Sequence, residues 1–161
     1  MKRLPLAIFI SIFAVSCGEP KTKESKAGPK TFYNPNELIF VVEMDSNENK
    51  SIEDIAKFSE EYTDTIDTNE PNTLGWGFYK SGDQIVLIER YLDGAAMMQH
   101  GKNVSQGGPL EPQFLMFMEH FTINKIDVYG NASDELKEFV KPFGLPFYFH
   151  PAYAKFSRFQ Q

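Results

Sequence analysis

Two β-rich runs separated by one tight turn constrain this chain more than any other feature. Thr73 to Tyr79 and Gln84 to Tyr91 flank Lys80-Ser81-Gly82-Asp83, where the glycine accepts positive φ, so the pair predicts a hairpin. Leu74, Trp76 and Phe78 alternate to one side. Ile85 to Ile88 is continuously apolar, as in a central strand covered on both faces. Outside the hairpin the apolar period lengthens to that of a helix. Ser51, with Asp54 three residues on as a capping-box partner, opens a helix that ends before Pro71. Its Ile52, Ile55, Phe58 (or Ser59) and Tyr62 share a face. Asp93 is placed to cap a second helix through Val104, carrying Ala96, Met97, His100 and Asn103.

The rest extends this alternation. Leu38 to Val42 reads as a strand, closed by the turn cluster Asp45-Ser46-Asn47-Glu48-Asn49. Gly107-Gly108 breaks the chain, and Pro112 starts a short helix through Phe117. Phe121 to Tyr129 predicts a strand, Gly130-Asn131 a turn, Ser133 the cap of a helix to Val140, and Leu145 to His150 a last strand. The expected fold is one α+β domain over residues 34–161, with helices on one face of an antiparallel sheet. The other sheet face then carries either the Trp76 row or the Ile85–Leu87 row. Packing that apolar face against a second copy gives a symmetric homodimer.

Lys2 and Arg3 precede an apolar stretch, Leu4 to Val15, that is too short to span a membrane and meets Ser16-Cys17. Residues 1–16 therefore read as a secretory signal peptide. The run Phe13-Ala14-Val15-Ser16-Cys17 resembles a bacterial lipobox, with Ala14 where leucine is commoner. That likeness implies lipidation at Cys17; the alternative is an ordinary cleaved signal followed by a chance cysteine. Residues 17–33, rich in Lys, Thr, Ser, Gly and Pro, read as a lipidated flexible tether. Gly18, not aspartate, follows the cysteine, so the expected location is the outer membrane.

Cys17 is the single cysteine, which leaves the folded part without a disulfide or a thiolate nucleophile. Packing must supply stability, and 42% hydrophobic residues with fifteen phenylalanines give it the means. The net charge is −6, and removing a segment that holds Lys2 and Arg3 but no acid makes it two units more negative. That balance excludes nucleic acid as a partner and disfavours docking flat on anionic lipid, so the membrane link is the lipid alone.

In its Leu74-Gly75-Trp76-Gly77-Phe78-Tyr79, Glu89-Arg90-Tyr91-Leu92-Asp93 and Ala96 to Val104 segments, the chain resembles the antibiotic-biosynthesis-monooxygenase-type group of dimeric α/β barrels. The resemblance covers roughly residues 37–130 and implies a ferredoxin-like fold. It also implies either a cofactor-independent monooxygenase acting on an aromatic or quinol-like molecule, or a non-catalytic binding or interaction domain. No cofactor is implied by either reading. Oxygenases of the group often use an asparagine on the first strand; here Leu38 to Val42 has none, and Asn34 and Asn36 precede it.

Glu89 and Arg90 end an apolar strand and point to opposite faces, so each is either a structural charge or, with Tyr91, part of a pocket wall. His100 shares a helix face with Asn103, a spacing suited to a base or to a hydrogen-bonded structural histidine. The candidate catalytic residues are thus His100, Asn103 and Arg90, with Trp76, Glu89, Tyr91 and Met97 binding substrate. Met97 serves first as soft core and second as pliable wall. His120 and His150 lie apart, and no histidine or cysteine spacing suits a metal. Trp76, Tyr91, His100 and Asn103 are expected to converge on one cavity beneath Gly107-Gly108.

Overall fold

The computed structural model describes residues 31–160; the signal segment, Cys17 and residues 18–30 of the tether lie outside them. The elements run β1 (Thr31–Tyr33), β2 (Leu38–Ser46), α1 (Ile52–Asn69), β3 (Thr73–Ser81), β4 (Gln84–Tyr91), α2 (Gly94–Val104), α3 (Glu111–His120), β5 (Phe121–Tyr129), α4 (Asp134–Val140), a 3₁₀ turn (Lys141–Phe143), β6 (Phe147–His150) and β7 (Arg158–Gln160). Local chemistry sets the helix starts. Ser51 and Asp54 form a reciprocal capping box, Asp93 accepts from the Ala96 N–H, and Ser133 accepts from the Leu136 N–H. The turn between β3 and β4 has Gly82 at φ 64°, in the left-handed region that glycine enters without a Cβ clash.

The main sheet has the order β3-β4-β2-β5-β6. Its first four strands form the ferredoxin-like arrangement of two interleaved β-α-β units. The sheet is mixed and not wholly antiparallel, because β6 lies parallel to β5, with Phe147 opposite Ile126 and Phe149 opposite Val128. That last strand begins at Phe147, two residues later than its sequence suggests, and α3 runs three residues past Phe117. β1 falls inside the stretch that reads as tether and pairs with β7 as a separate two-stranded ladder.

Cross-strand register decides which rows face the helices. Phe40 pairs with Glu89, Val42 with Leu87, Trp76 with Glu89 and Phe78 with Leu87, so all of these side chains share one face. That face holds the core, where Leu38, Phe40, Met44, Leu87 and Tyr91 from the strands meet Phe58, Tyr62 and Ile66 of α1. Ile52, expected on the buried face of α1, is exposed, and Ile66 takes the third core position one turn beyond Tyr62. The Trp76 and Leu87 rows therefore lie beneath the helices together, and neither forms the open face. A register shift between Thr73 and Gly75 takes Leu74 out of the regular alternation.

The opposite face carries Ile39 and Val41 of β2, Val86 and Ile88 of β4, Gly75 and Gly77 of β3, and Tyr79, Tyr129 and Tyr148 at its margins. Val86 and Ile88 are half-buried, so among the described residues β4 is covered on one side only. Arg90 belongs to this open face. It lies beside Ile39 and Gly75, and its Nε donates to Glu37 at 2.7 Å.

Candidate functional site

Between the sheet and the helices lies a cavity with about 70 Å³ of water-accessible space. Phe40, Val42, Leu87 and Ile126 of the sheet form its floor, and Met97, Val104 and Phe117 of the helices form its roof. Glu89 and His100 are the charged or titratable groups of the wall apart from the Tyr62 phenol, and Trp76 adds an indole N–H. The indole Nε1 is buried and finds no hydrogen-bond partner among the described residues. An unpaired buried donor is costly unless an occupant or a water takes it.

His100 owes its orientation to Glu70, the residue that closes α1. Its Nδ1 stands 3.0 Å from both carboxylate oxygens. Glu70 also accepts from Asn103 Nδ2 at 2.9 Å and from the Thr73 hydroxyl at 3.1 Å. Gln99 holds Asn103 in turn, donating to its Oδ1 at 2.8 Å. Since an ionised Glu70 can only accept, Nδ1 carries the proton and Nε2 is the nitrogen left for an occupant of the cavity.

Burial works against the charged form of His100, yet the Glu70 hydrogen bond and the charges of Glu89 and Glu70 outweigh it and raise its pKa above the ordinary histidine value. Burial likewise opposes the Glu70 carboxylate, but hydrogen bonds from His100, Asn103 and Thr73 with the His100 charge lower its pKa. Glu89 goes the other way. Complete burial raises its pKa, and neither the His100 charge nor the Tyr91 hydroxyl, which donates to it at 2.6 Å, overcomes this. The two carboxyls beside one imidazole are thus driven apart, one toward the ionised form and one toward the neutral form. Such divergence marks acid–base sites.

The sequence-derived candidates separate into three groups. Trp76, Glu89, Met97 and His100 share the cavity wall, with the Trp76 and His100 rings 5.2 Å apart. Tyr91 and Asn103 stand behind that wall: the Tyr91 ring is 5.7 Å from His100 and supports Glu89, while Asn103 supports Glu70. Arg90 is removed from the site. Strand alternation turns it to the open face, so it touches neither the cavity nor His100. The Gly107-Gly108 loop packs Gly108 against the last carbonyls of α2, and the cavity roof is made instead by α2 and α3.

Sequence reasoning missed Glu70. A signal for it exists: the last turn of α1 holds no basic residue, and carboxylates there oppose the helix dipole. An acid kept at an unfavourable helix end has a partner elsewhere. Asn34, one of the two asparagines ahead of β2, is tied up structurally, donating to the Leu92 carbonyl at 2.8 Å. Among the described residues, no three His, Cys, Asp or Glu side chains gather in a way that would hold a metal ion, and no helix is long and apolar enough to cross a membrane. His120 is half-buried and stacked on Phe58, and His150 pairs with Asp127 at 2.7 Å on the open face.

No protein-family profile matches the sequence, and no curated protein matches it. Among solved structures, the chain is similar to MupZ from Pseudomonas fluorescens, with TM-score 0.61 and 19% identity, covering 76% of this chain and 95% of that one. It also aligns with a conserved protein from Methanosarcina mazei Go1 (TM-score 0.46, 14% identity, 62% and 96% covered). A third is protein SO0527 from Shewanella oneidensis (TM-score 0.39, 18% identity, 62% and 92% covered). The likeness to MupZ shows a shared small α+β fold.

Proposed function

We propose that this chain is an exported, lipid-anchored domain, paired with a second copy through its open sheet face, whose cavity binds a small hydroxy-aromatic molecule of the quinol type. His100 takes the proton from that molecule's hydroxyl. The observation that carries this reading is His100, held from behind by Glu70, in a mainly apolar wall that also carries Glu89 and the Trp76 indole, whose N–H has no partner among the described residues. Glu70 fixes the tautomer and stabilises the imidazolium that forms. The Trp76 N–H is a donor for the oxygen left behind. Glu89, raised toward its neutral form by burial, adds less negative charge against the developing anion than an ordinary carboxylate would. Attack of such an anion on dioxygen is the cofactor-independent monooxygenase chemistry that the family resemblance implies.

Oxygen uptake with a panel of quinols and phenols, run beside native mass spectrometry of the purified protein, tests this reading. The expected result is uptake that is lost in His100→Gln. A second reading, binding without turnover, is favoured by the small size of the cavity. It is the outcome if a ligand co-purifies or binds while no oxygen is consumed. Absence of both binding and uptake across the panel removes the proposal.

A further inference from the structure

On the outer side of the cavity roof lies an open groove of about 760 Å³. Val104, Phe114 and Phe143 line both the groove and the inner cavity, so these three side chains form a partition shared by the two spaces. They come from three different elements: the end of α2, the second turn of α3 and the 3₁₀ turn after α4. Phe114 and Phe143 are only half-buried, and Gly144, next to Phe143, has φ 66°. Beyond the partition the groove continues over Leu115, Phe139 and Pro142. Leu115 is 57% exposed and has no core role. Phe139 lies so close to Gly101 that a Cβ there would stand 2.6 Å from its ring, which makes the groove wall continuous with the cavity roof.

Resting on the reading of the cavity given above, we infer that the groove is the second half of the ligand site and holds a neutral apolar tail attached to the hydroxy-aromatic head. The inner space, about 70 Å³, is well below the ~300–1,000 Å³ of ordinary small-molecule pockets, so a larger ligand must extend past the partition. What it meets there is mainly aromatic and aliphatic, with Ser105 and Gln106 as the neutral polar members. The groove's charged member is Glu111, whose carboxylate accepts the Gly107 N–H at the rim. A fatty acid or other anionic tail is therefore disfavoured, and an alkyl or prenyl chain fits.

Titration of the whole protein with p-cresol, p-butylphenol and p-hexylphenol, followed by the fluorescence of the single tryptophan Trp76, tests the inference. Affinity should rise about three- to fourfold per added methylene. The rise should be absent for a chain of equal length ending in a carboxylate, and should flatten in Leu115→Glu, an exposed position whose fold is checked by its melting curve. Equal affinities along the series, or a rise untouched by Leu115→Glu in a folded protein, overturn the groove assignment while leaving the cavity reading intact. Failure of p-cresol itself to bind sinks the cavity reading instead.

Discussion

Glu70, at the end of α1, chelates the Nδ1 proton of His100 on α2 with both carboxylate oxygens at 3.0 Å, across thirty residues of chain. The contact joins the two helices over the hairpin and decides the tautomer of the imidazole. It is the point from which the chemistry and much of the polar architecture of the interior follow.

Glu70→Gln should therefore be the most informative single change. It leaves the Asn103 and Thr73 donors an oxygen to meet but removes the charge facing His100. Stability should fall by about 1–3 kcal/mol, the range for a disturbed buried hydrogen bond to a charged partner. The His100 pKa should drop, because burial then acts without the opposing hydrogen bond and charge. Denaturant titration reads the first effect and an NMR titration of the imidazole the second. An unchanged His100 pKa contradicts the proposed pairing.

The pH dependence of stability has a definite sign. His100 is raised in the folded state, so its contribution is complete below the ordinary histidine value and is lost as pH climbs through the folded pKa. Glu89 is raised too, so stability also declines as pH rises from the usual carboxylate range through its folded value. Glu89→Gln, which can still accept from the Tyr91 hydroxyl, should weaken that decline and stabilise the protein at neutral pH. Urea midpoints measured across pH for wild type, Glu89→Gln and His100→Gln give the comparison. Identical slopes in all three remove both assignments.

The open sheet face yields a prediction about assembly. Ile39, Val41, Val86 and Ile88 form an apolar strip there with Tyr79, 55% exposed, at its edge. Sedimentation of the chain from residue 18 onward should give twice the chain mass at micromolar concentration, and Ile88→Asp should halve it. A wild-type protein sedimenting as a monomer rules out the face-to-face pair.

Cys17 is tested separately. Cells expressing the full chain should incorporate a radioactive fatty acid into it, and Cys17→Ala should carry no label. Equal label on both, or none on either, ends the lipoprotein reading.

The local elements were legible because their causes are local. Ser51 with Asp54, Asp93 with Ala96, and the Gly82 turn lie within a few residues of their partners. Strand orientation and facing were not. Alternation puts Trp76 and Phe78 on one side, but only pairing with Glu89 and Leu87 shows that this side meets the helices. β6 is four residues long, and nothing in Phe147 to His150 distinguishes a parallel neighbour from an antiparallel one. Arg90 reads as a pocket residue because Glu89 lines the cavity and Tyr91 supports it from behind, but a period of two places Arg90 on the opposite face. Glu70 was hidden by distance in sequence, its two acceptor oxygens being claimed by groups from two later elements.

The ladder of β1 and β7 has a mechanical meaning. Thr31 pairs with Gln160 and Tyr33 with Arg158, so the first and last described strands form a clasp, fastened to the body where the Asn34 side chain donates to the Leu92 carbonyl. A load arriving through the chain ahead of Thr31 meets this three-residue clasp before it reaches β2. The clasp has three register pairs and is separate from the five-stranded sheet, so opening it breaks no rung of that sheet. On the anchored reading proposed above, the chain would thus enter the domain through its smallest ladder and not through its main sheet.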